Sequence, residues 1–175
     1  MAPVIRPAVA EDAATLSALA DRLFLQTFVE ELAVPYPKDD LAVFLRESNG
    51  VDAMARRLAD PAIGVWLARI DGRAVGYMVA GPAYGLSHPD LKASDGMLHR
   101  LYIAPETRGQ GLGPAMMEAV MAWLTQRYSP RPWLTVFSGN LRAQRFYARY
   151  GFEKLGEFDY PVGAWLDHEF MMRRR

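Results

Sequence analysis

Apolar residues recur at helical spacing through the first third of the chain, then at strand spacing, and after that in alternating blocks of the two. Leu16, Leu19, Ala20, Leu23, Phe24, Thr27 and Phe28 share one stripe of a 3.6-residue period, which predicts a helix from Glu11 to Glu31. Asp12 or a neighbour is its expected cap. Ahead of it, Val4 to Ala8 reads as a short edge strand stopped by Pro7. Pro35-Tyr36-Pro37 breaks the chain, and Asp39 can cap a second helix carrying Leu41, Phe44 and Leu45. Asn49-Gly50 is a turn, and a third helical piece from Asp52 to Leu58 ends before Asp60-Pro61.

The period then becomes two. Ile63 to Ile70 and Arg73 to Ala80 read as strands joined by an Asp71-Gly72 hairpin turn. Gly81 to Asp95 is rich in Gly, Pro, Ser and Asp and is expected to be a loop. Gly96 to Ile103 is the next strand. Gly113 to Tyr128 is a helix with a wide apolar arc of Met116, Met117, Val120, Met121, Trp123 and Leu124, its methionines read as core filler. Trp133 to Phe137 is a strand. Leu141 to Tyr150 is a short helix closed by Gly151. Phe152 to Phe158 and Glu169 to Arg173 are the last strands, with an exposed connection expected over Asp159 to His168. With the two short helical pieces counted together, the order is β-α-α-β-β-β-α-β-α-β-β. That is an α/β arrangement around a mixed sheet.

At 175 residues, without repeats or a linker, the chain is expected to be one domain spanning 1–175. A net charge of zero gives no reason to expect nucleic acid or membrane as a partner. The charge is uneven, however. Residues 1–50 carry four basic and eight acidic side chains, and residues 98–150 carry seven arginines against Glu106 and Glu118. The basic segment suits a polyanionic ligand. The acidic one suits a cationic substrate, or is a set of solvated helix faces. The absence of cysteine excludes disulfides and a cysteine nucleophile. Three histidines without ligand spacing give no expectation of a metal site. No apolar run approaches the ~18 residues of a membrane span, and the first residues lack a signal-like region, so the expected location is cytoplasmic.

Arg108-Gly109-Gln110-Gly111-Leu112-Gly113 lies between the strand ending at Ile103 and the helix beginning near Leu112. Glycines there permit positive φ and close approach of a ligand. The unpaired N–H groups of the first helical turn, the helix dipole and Arg108 together make an anion site. The dinucleotide fingerprint does not fit the singly alternating glycines, and no Gly-Lys-Ser/Thr follows as a Walker loop requires.

The pattern R-x-x-G-x-G resembles the acyl-CoA pyrophosphate loop of the GNAT N-acetyltransferase superfamily. Its flanks resemble that family too: Met97-Leu98-His99-Arg100-Leu101-Tyr102-Ile103-Ala104-Pro105-Glu106 before it, and Asn140 and Phe146-Tyr147-Ala148-Arg149-Tyr150-Gly151-Phe152 after it. The tail, with Val162-Gly163 and Asp167, resembles polyamine acetyltransferases of the PaiA type. The resemblance implies the GNAT three-layer fold, with a central, mixed, mostly antiparallel sheet, splayed central strands and flanking helices. It also implies acetyl-CoA as acyl donor and a small cationic amine or protein amino group as acceptor. A homodimer is compatible with it.

By the same resemblance, Arg108, Gly109, Gln110, Gly111, Leu112 and Gly113 hold the pyrophosphate, while Leu101, Tyr102 and Ile103 offer backbone groups to the pantetheine. Asn140 hydrogen-bonds the same arm, caps the next helix, or does both. Tyr147 is the expected acid for the departing thiolate. Arg145 or Arg142 is a candidate contact for the 3′-phosphate, which the resemblance itself does not assign. Pro114 after the loop removes one donor, at a helix start where proline is tolerated.

His99 is the candidate base. On its strand it shares a face with Met97, Leu101 and Ile103. Serotonin N-acetyltransferase carries a His-Leu-His stretch on this strand whose second histidine falls at His99. The first falls at Met97, which cannot take a proton. The glutamate many relatives use here is absent between Gly96 and Ile103. Either His99 acts alone, or a water or a residue from elsewhere is the base. Glu30, Glu31 and Asp39 are the expected acidic residues for a cationic acceptor. A non-catalytic acyl-CoA sensor of the same fold is the alternative function.

Overall fold

The computed structural model describes residues 3–175. Seven strands form one sheet in the order β1-β2-β3-β4-β5-β7-β6. They are β1 (Val4–Pro7), β2 (Gly64–Ile70), β3 (Arg73–Pro82), β4 (Gly96–Ile103), β5 (Trp133–Phe137), β6 (Phe152–Val162) and β7 (Trp165–Arg174). Every pairing is antiparallel except β4–β5. Five helices flank the sheet: α1 (Ala13–Phe24), α2 (Lys38–Phe44), α3 (Val51–Ala59), α4 (Leu112–Arg127) and α5 (Leu141–Ala148). The fold is thus the mixed, mostly antiparallel α/β arrangement expected.

Most elements follow from local rules. Asp71 and Gly72 both have positive φ, the pairing a tight two-residue hairpin requires, and they join β2 to β3. In α4, Met116, Met117, Val120 and Leu124 are completely buried. Met116 packs so closely on Gly76 of β3 that a Cβ there would lie 3.2 Å from its sulfur. The methionines are core, as expected. Asp12 does not cap α1 through a hydrogen bond of its own. Its carboxylate accepts from Arg6 at 2.7 and 2.8 Å and from the Val9 N–H at 2.9 Å, tying β1 to the helix start.

Other sequence expectations change as well, and Asp39 is the second residue of α2 rather than its cap. The predicted helix over 11–31 is α-helical only to Phe24. It continues as a wider π-helical stretch, Leu25–Glu31, in which the Leu32 N–H reaches back five residues to Thr27. The predicted connection over 159–168 is a long β6–β7 hairpin turning at Gly163, where φ is +63°. Pro161 is tolerated because β6 is an edge of the sheet and need not donate outward. Pro114 is the third residue of α4 rather than the first. Its missing N–H still falls among the unpaired donors of the first turn.

A second apolar cluster lies apart from the main core. It joins Phe24, Phe28, Val34, Phe44 and Val162, with Tyr36, Tyr102, Phe137, Tyr160 and Trp165 packed around it. It docks the π-helical stretch and α2 on the β6–β7 hairpin. Asp40 accepts a 2.7 Å bond from the Ala164 N–H at the hairpin turn, and the Tyr36 hydroxyl donates to Asp167 at 2.5 Å.

Candidate active site

β4 and β5 pair only at Met97–Trp133 and Leu98–Leu134. Beyond Leu98 the two strands part, so the edge of β4 over His99 to Ile103 has no strand beside it. A cavity of about 590 Å³ opens in the gap. Leu101, Tyr102 and Ile103 line it from β4. Thr135, Val136 and Phe137 line it from β5. Arg108, Gly109 and Gly111 line it from the loop before α4, and Gly113 lines it from the first turn of α4. The expected constellation is therefore gathered in one place.

The loop has the backbone its glycines predict. Gly109 and Gly111 have φ of +78° and +81°, and Gly111 is the cap of α4. A left-handed residue at a helix start turns successive N–H groups into a concavity suited to an anion. Two loop residues contribute no side chain to the cavity. Leu112 is buried in the core, and Gln110 bonds its own loop through the Glu106 carbonyl at 3.0 Å. Any part they play in holding a ligand is through backbone.

Glu31 is not a free acidic residue. Its two carboxylate oxygens accept from Arg108 at 2.6 Å and from Arg142 at 2.7 Å. Partial burial pushes its carboxyl up, but the two guanidinium groups hold it below the usual range. Glu30 and Asp39 are exposed and absent from the cavity lining. Glu31 thus pairs with the loop, and none of these three carboxylates lines the cavity.

From α5, Tyr147 enters the cavity as a buried side chain. Burial, and then the nearby Glu169, push its phenol well above the ordinary range, so it stays protonated and able to donate. Asn140 caps α5, its Oδ1 accepting from the Ala143 N–H at 3.1 Å, and also lines the cavity. Both expectations for Asn140 fit this placement, because the amide nitrogen is not used in the cap.

His99 sits at a β-bulge. Arg100 opposes Val79 and Leu98 opposes Ala80, leaving His99 as the extra residue. The bulge breaks the alternation assumed from sequence. Met97 opposes Gly81 and Leu101 opposes Met78, three residues apart on β3 and so on opposite faces. His99 lines the cavity, stacks on Tyr84 at 4.5 Å and has Nε2 3.0 Å from the Pro82 carbonyl. The carbonyl can only accept, so Nε2 carries the proton. Burial, followed by Arg100 and Arg57, pulls the imidazole down to about 4 against that hydrogen bond. His99 is neutral and weakly basic here.

Two lining carboxylates were not singled out from sequence as site residues. Asp167 and Glu169 are both buried on β7. Asp167 is fully engaged by the Tyr36 hydroxyl and by Trp165 Nε1 at 2.9 Å. Burial pushes the Glu169 carboxyl up to about 7, with a hydrogen bond from the Thr135 side chain opposing the rise and Asp167 adding to it, and the Glu169 charge in turn raises Tyr147. No group of three or more His, Cys, Asp or Glu able to hold a metal occurs among the described residues. No helix among them is long and apolar enough to cross a membrane.

The cavity fits acyl-CoA on three observations: a gap between strands for an extended arm, a glycine loop at a helix start, and Arg108, Arg142, Arg145 and Arg149 around it. The chain also resembles known proteins. An uncharacterized N-acetyltransferase of Mycobacterium tuberculosis is 34% identical over 165 residues, covering 93% of this chain and 97% of that protein. The spermine/spermidine N(1)-acetyltransferase of Bacillus subtilis is 34% identical over 93 residues, 51% of this chain and 59% of that one. The PaiA N-acetyltransferase of Thermoplasma acidophilum, solved in complex with coenzyme A, superposes with a TM-score of 0.76 at 19% identity, over 100% of this chain and 99% of that one. The Acetyltransferase (GNAT) family matches residues 23–152, from the end of α1 to the first residue of β6 and so across the loop, the splayed strands and Tyr147. The chain belongs to the GNAT family of acetyltransferases.

Proposed function

We propose that the protein transfers an acetyl group from acetyl-CoA to a cationic primary amine, by direct attack within a ternary complex. The observation that carries this reading is the shared cavity: the positive-φ loop before α4, the unpaired edge of β4 and the buried, protonated Tyr147 all open into it. The loop N–H groups and Arg108 would hold the pyrophosphate, and the β4 edge would pair with the amide groups of the pantetheine. Tyr147 would give its proton to the thiolate as the C–S bond breaks.

The acceptor end differs in character. Phe24, Phe28, Phe44, Tyr160, Asp167 and Glu169 also line the cavity and would form that end. Aromatic faces and buried carboxylates favour an alkylammonium over a neutral or anionic acceptor. The Bacillus subtilis relative is named for acceptors of that kind. The sensor alternative draws on Met97 in place of an ionisable residue. Met97 is buried where β4 pairs with β5 and is not among the residues lining the cavity.

The test is thiol release from acetyl-CoA across a panel of amines. The chain has no cysteine, so a thiol reagent reports only the CoA product. Release that depends on an alkylamine supports the reading. Acetyl-CoA binding without release by any amine would favour the sensor.

A further inference from the structure

Glu169 has features the rest of the cavity lacks. It is 8% exposed, and its Oε2 is buried without a hydrogen-bond partner among the described residues. A buried carboxylate oxygen left unpaired is costly unless a ligand meets it. It lines the same cavity as Tyr147 and stands on β7 opposite Phe137, the last residue of the strand that parts from β4. The other titratable groups compare poorly. Asp167 has both oxygens engaged by Tyr36 and Trp165. His99 has its proton fixed on Pro82 and its remaining nitrogen weakly basic.

We propose that Glu169 is the general base of the transfer, taking the proton of the acceptor's ammonium on its free Oε2. This assignment rests on amine acetyl transfer being the reaction. The ammonium loses one proton to Glu169, and the amine lone pair forms the C–N bond at the thioester carbonyl. Collapse breaks the C–S bond, and the thiolate takes the Tyr147 proton. The second nitrogen proton restores the Tyr147 phenol, and Glu169 returns its proton to solvent, so one proton is released per turnover.

The Thr135 side chain on β5 hydrogen-bonds Glu169, and the titratable groups within electrostatic reach of it are Tyr147 from α5, Tyr102 from β4, Tyr36 from the segment before α2 and Asp167 from its own strand. None of these is a cation. A carboxyl titrating at about 7 is charged often enough at neutral pH to accept a proton, and is far better matched to an ammonium than an imidazole at about 4.

The experiment is the pH profile of kcat/KM for an alkylamine in wild type, Glu169→Gln, Glu169→Asp and His99→Gln, with acetyl-CoA affinity measured for each. Expected is a rise with pH through about 7 in wild type and His99→Gln. Glu169→Gln loses that limb, kcat falls roughly a hundredfold, and acetyl-CoA affinity stays within about twofold of wild type. Glu169→Asp keeps a carboxylate and retains the limb at reduced rate. If Glu169→Gln fails to bind acetyl-CoA as a folded protein, Glu169→Asp and His99→Gln decide. A limb lost in His99→Gln, with Glu169→Asp at the wild-type rate, overturns the assignment. So does near-wild-type activity in Glu169→Gln, while amine acetylation by wild type stands. Absence of amine-dependent release in wild type overturns both.

Discussion

Glu31 and Arg108 meet at 2.6 Å, and the same carboxylate holds Arg142 at 2.7 Å. An acidic side chain from the end of the π-helical stretch thus occupies the arginines on which a pyrophosphate would draw. From sequence alone, Glu31 is expected to greet a cationic acceptor. Its ion pairs tie it to Arg108 and Arg142 instead.

Glu31→Gln therefore tightens acetyl-CoA binding, because a competing carboxylate is removed from the two arginines. Partly exposed ion pairs contribute up to about 1 kcal/mol, so the expected gain is roughly two- to fivefold in Kd. Calorimetric titration with acetyl-CoA measures it. Unchanged or weaker binding would mean that the carboxylate orders the arginines rather than competing for them.

Gly111→Ala separates strain from binding. Open space surrounds the position, so the cost is that of a left-handed backbone with a Cβ, about 1–2 kcal/mol. In a chain of this size that lowers Tm by roughly 2–8 °C. The same change at Gly72, where φ is +78° and nothing lies near, gives a comparable loss. Only Gly111→Ala displaces the loop donors, and only it raises the acetyl-CoA Kd, by about tenfold or more, equivalent to 1.4 kcal/mol. Equal acetyl-CoA affinity in the two variants would rule out the loop as the anion site.

Asp12 makes stability depend on acid. Hydrogen bonds from Arg6, then the Val9 N–H and nearby Arg69, hold its carboxyl down to about 2 against partial burial. A carboxyl depressed in the folded state stabilises it above the unfolded pKa of about 3.9, and that contribution is lost as pH falls through the folded value. Asp12→Asn is expected to lower the urea midpoint at pH 7 and to narrow the gap between pH 7 and pH 2. A gap as wide as in wild type would contradict the linkage.

The parts legible in the sequence were those written in local chemistry. Gly109 and Gly111 announced a left-handed loop, Asp71-Gly72 a tight hairpin, and Leu16 to Phe28 a helical stripe. What escaped depends on partners distant in sequence. His99 becomes an extra residue only when β4 is paired with β3. Pro161 reads as a breaker until β6 is known to be an edge. Glu169 was hidden by its own strand pattern. Leu166 and Phe170 make the opposite face look like the buried one, yet Leu166 is 58% exposed while Asp167 and Glu169 are buried. Charged residues on an inward face are the signal, and it appears only once the cavity is there to receive them.

Tyr147→Phe is the most direct measurement. The change removes one hydroxyl from a buried ring and leaves the loop, the β4 edge and the arginines untouched. With acetyl-CoA and an alkylamine that wild type acetylates, kcat for thiol release is expected to fall by about 10²-fold or more, with acetyl-CoA affinity unchanged. Release at the wild-type rate would contradict the assignment of Tyr147 as the acid, and with it the chemistry read from this cavity.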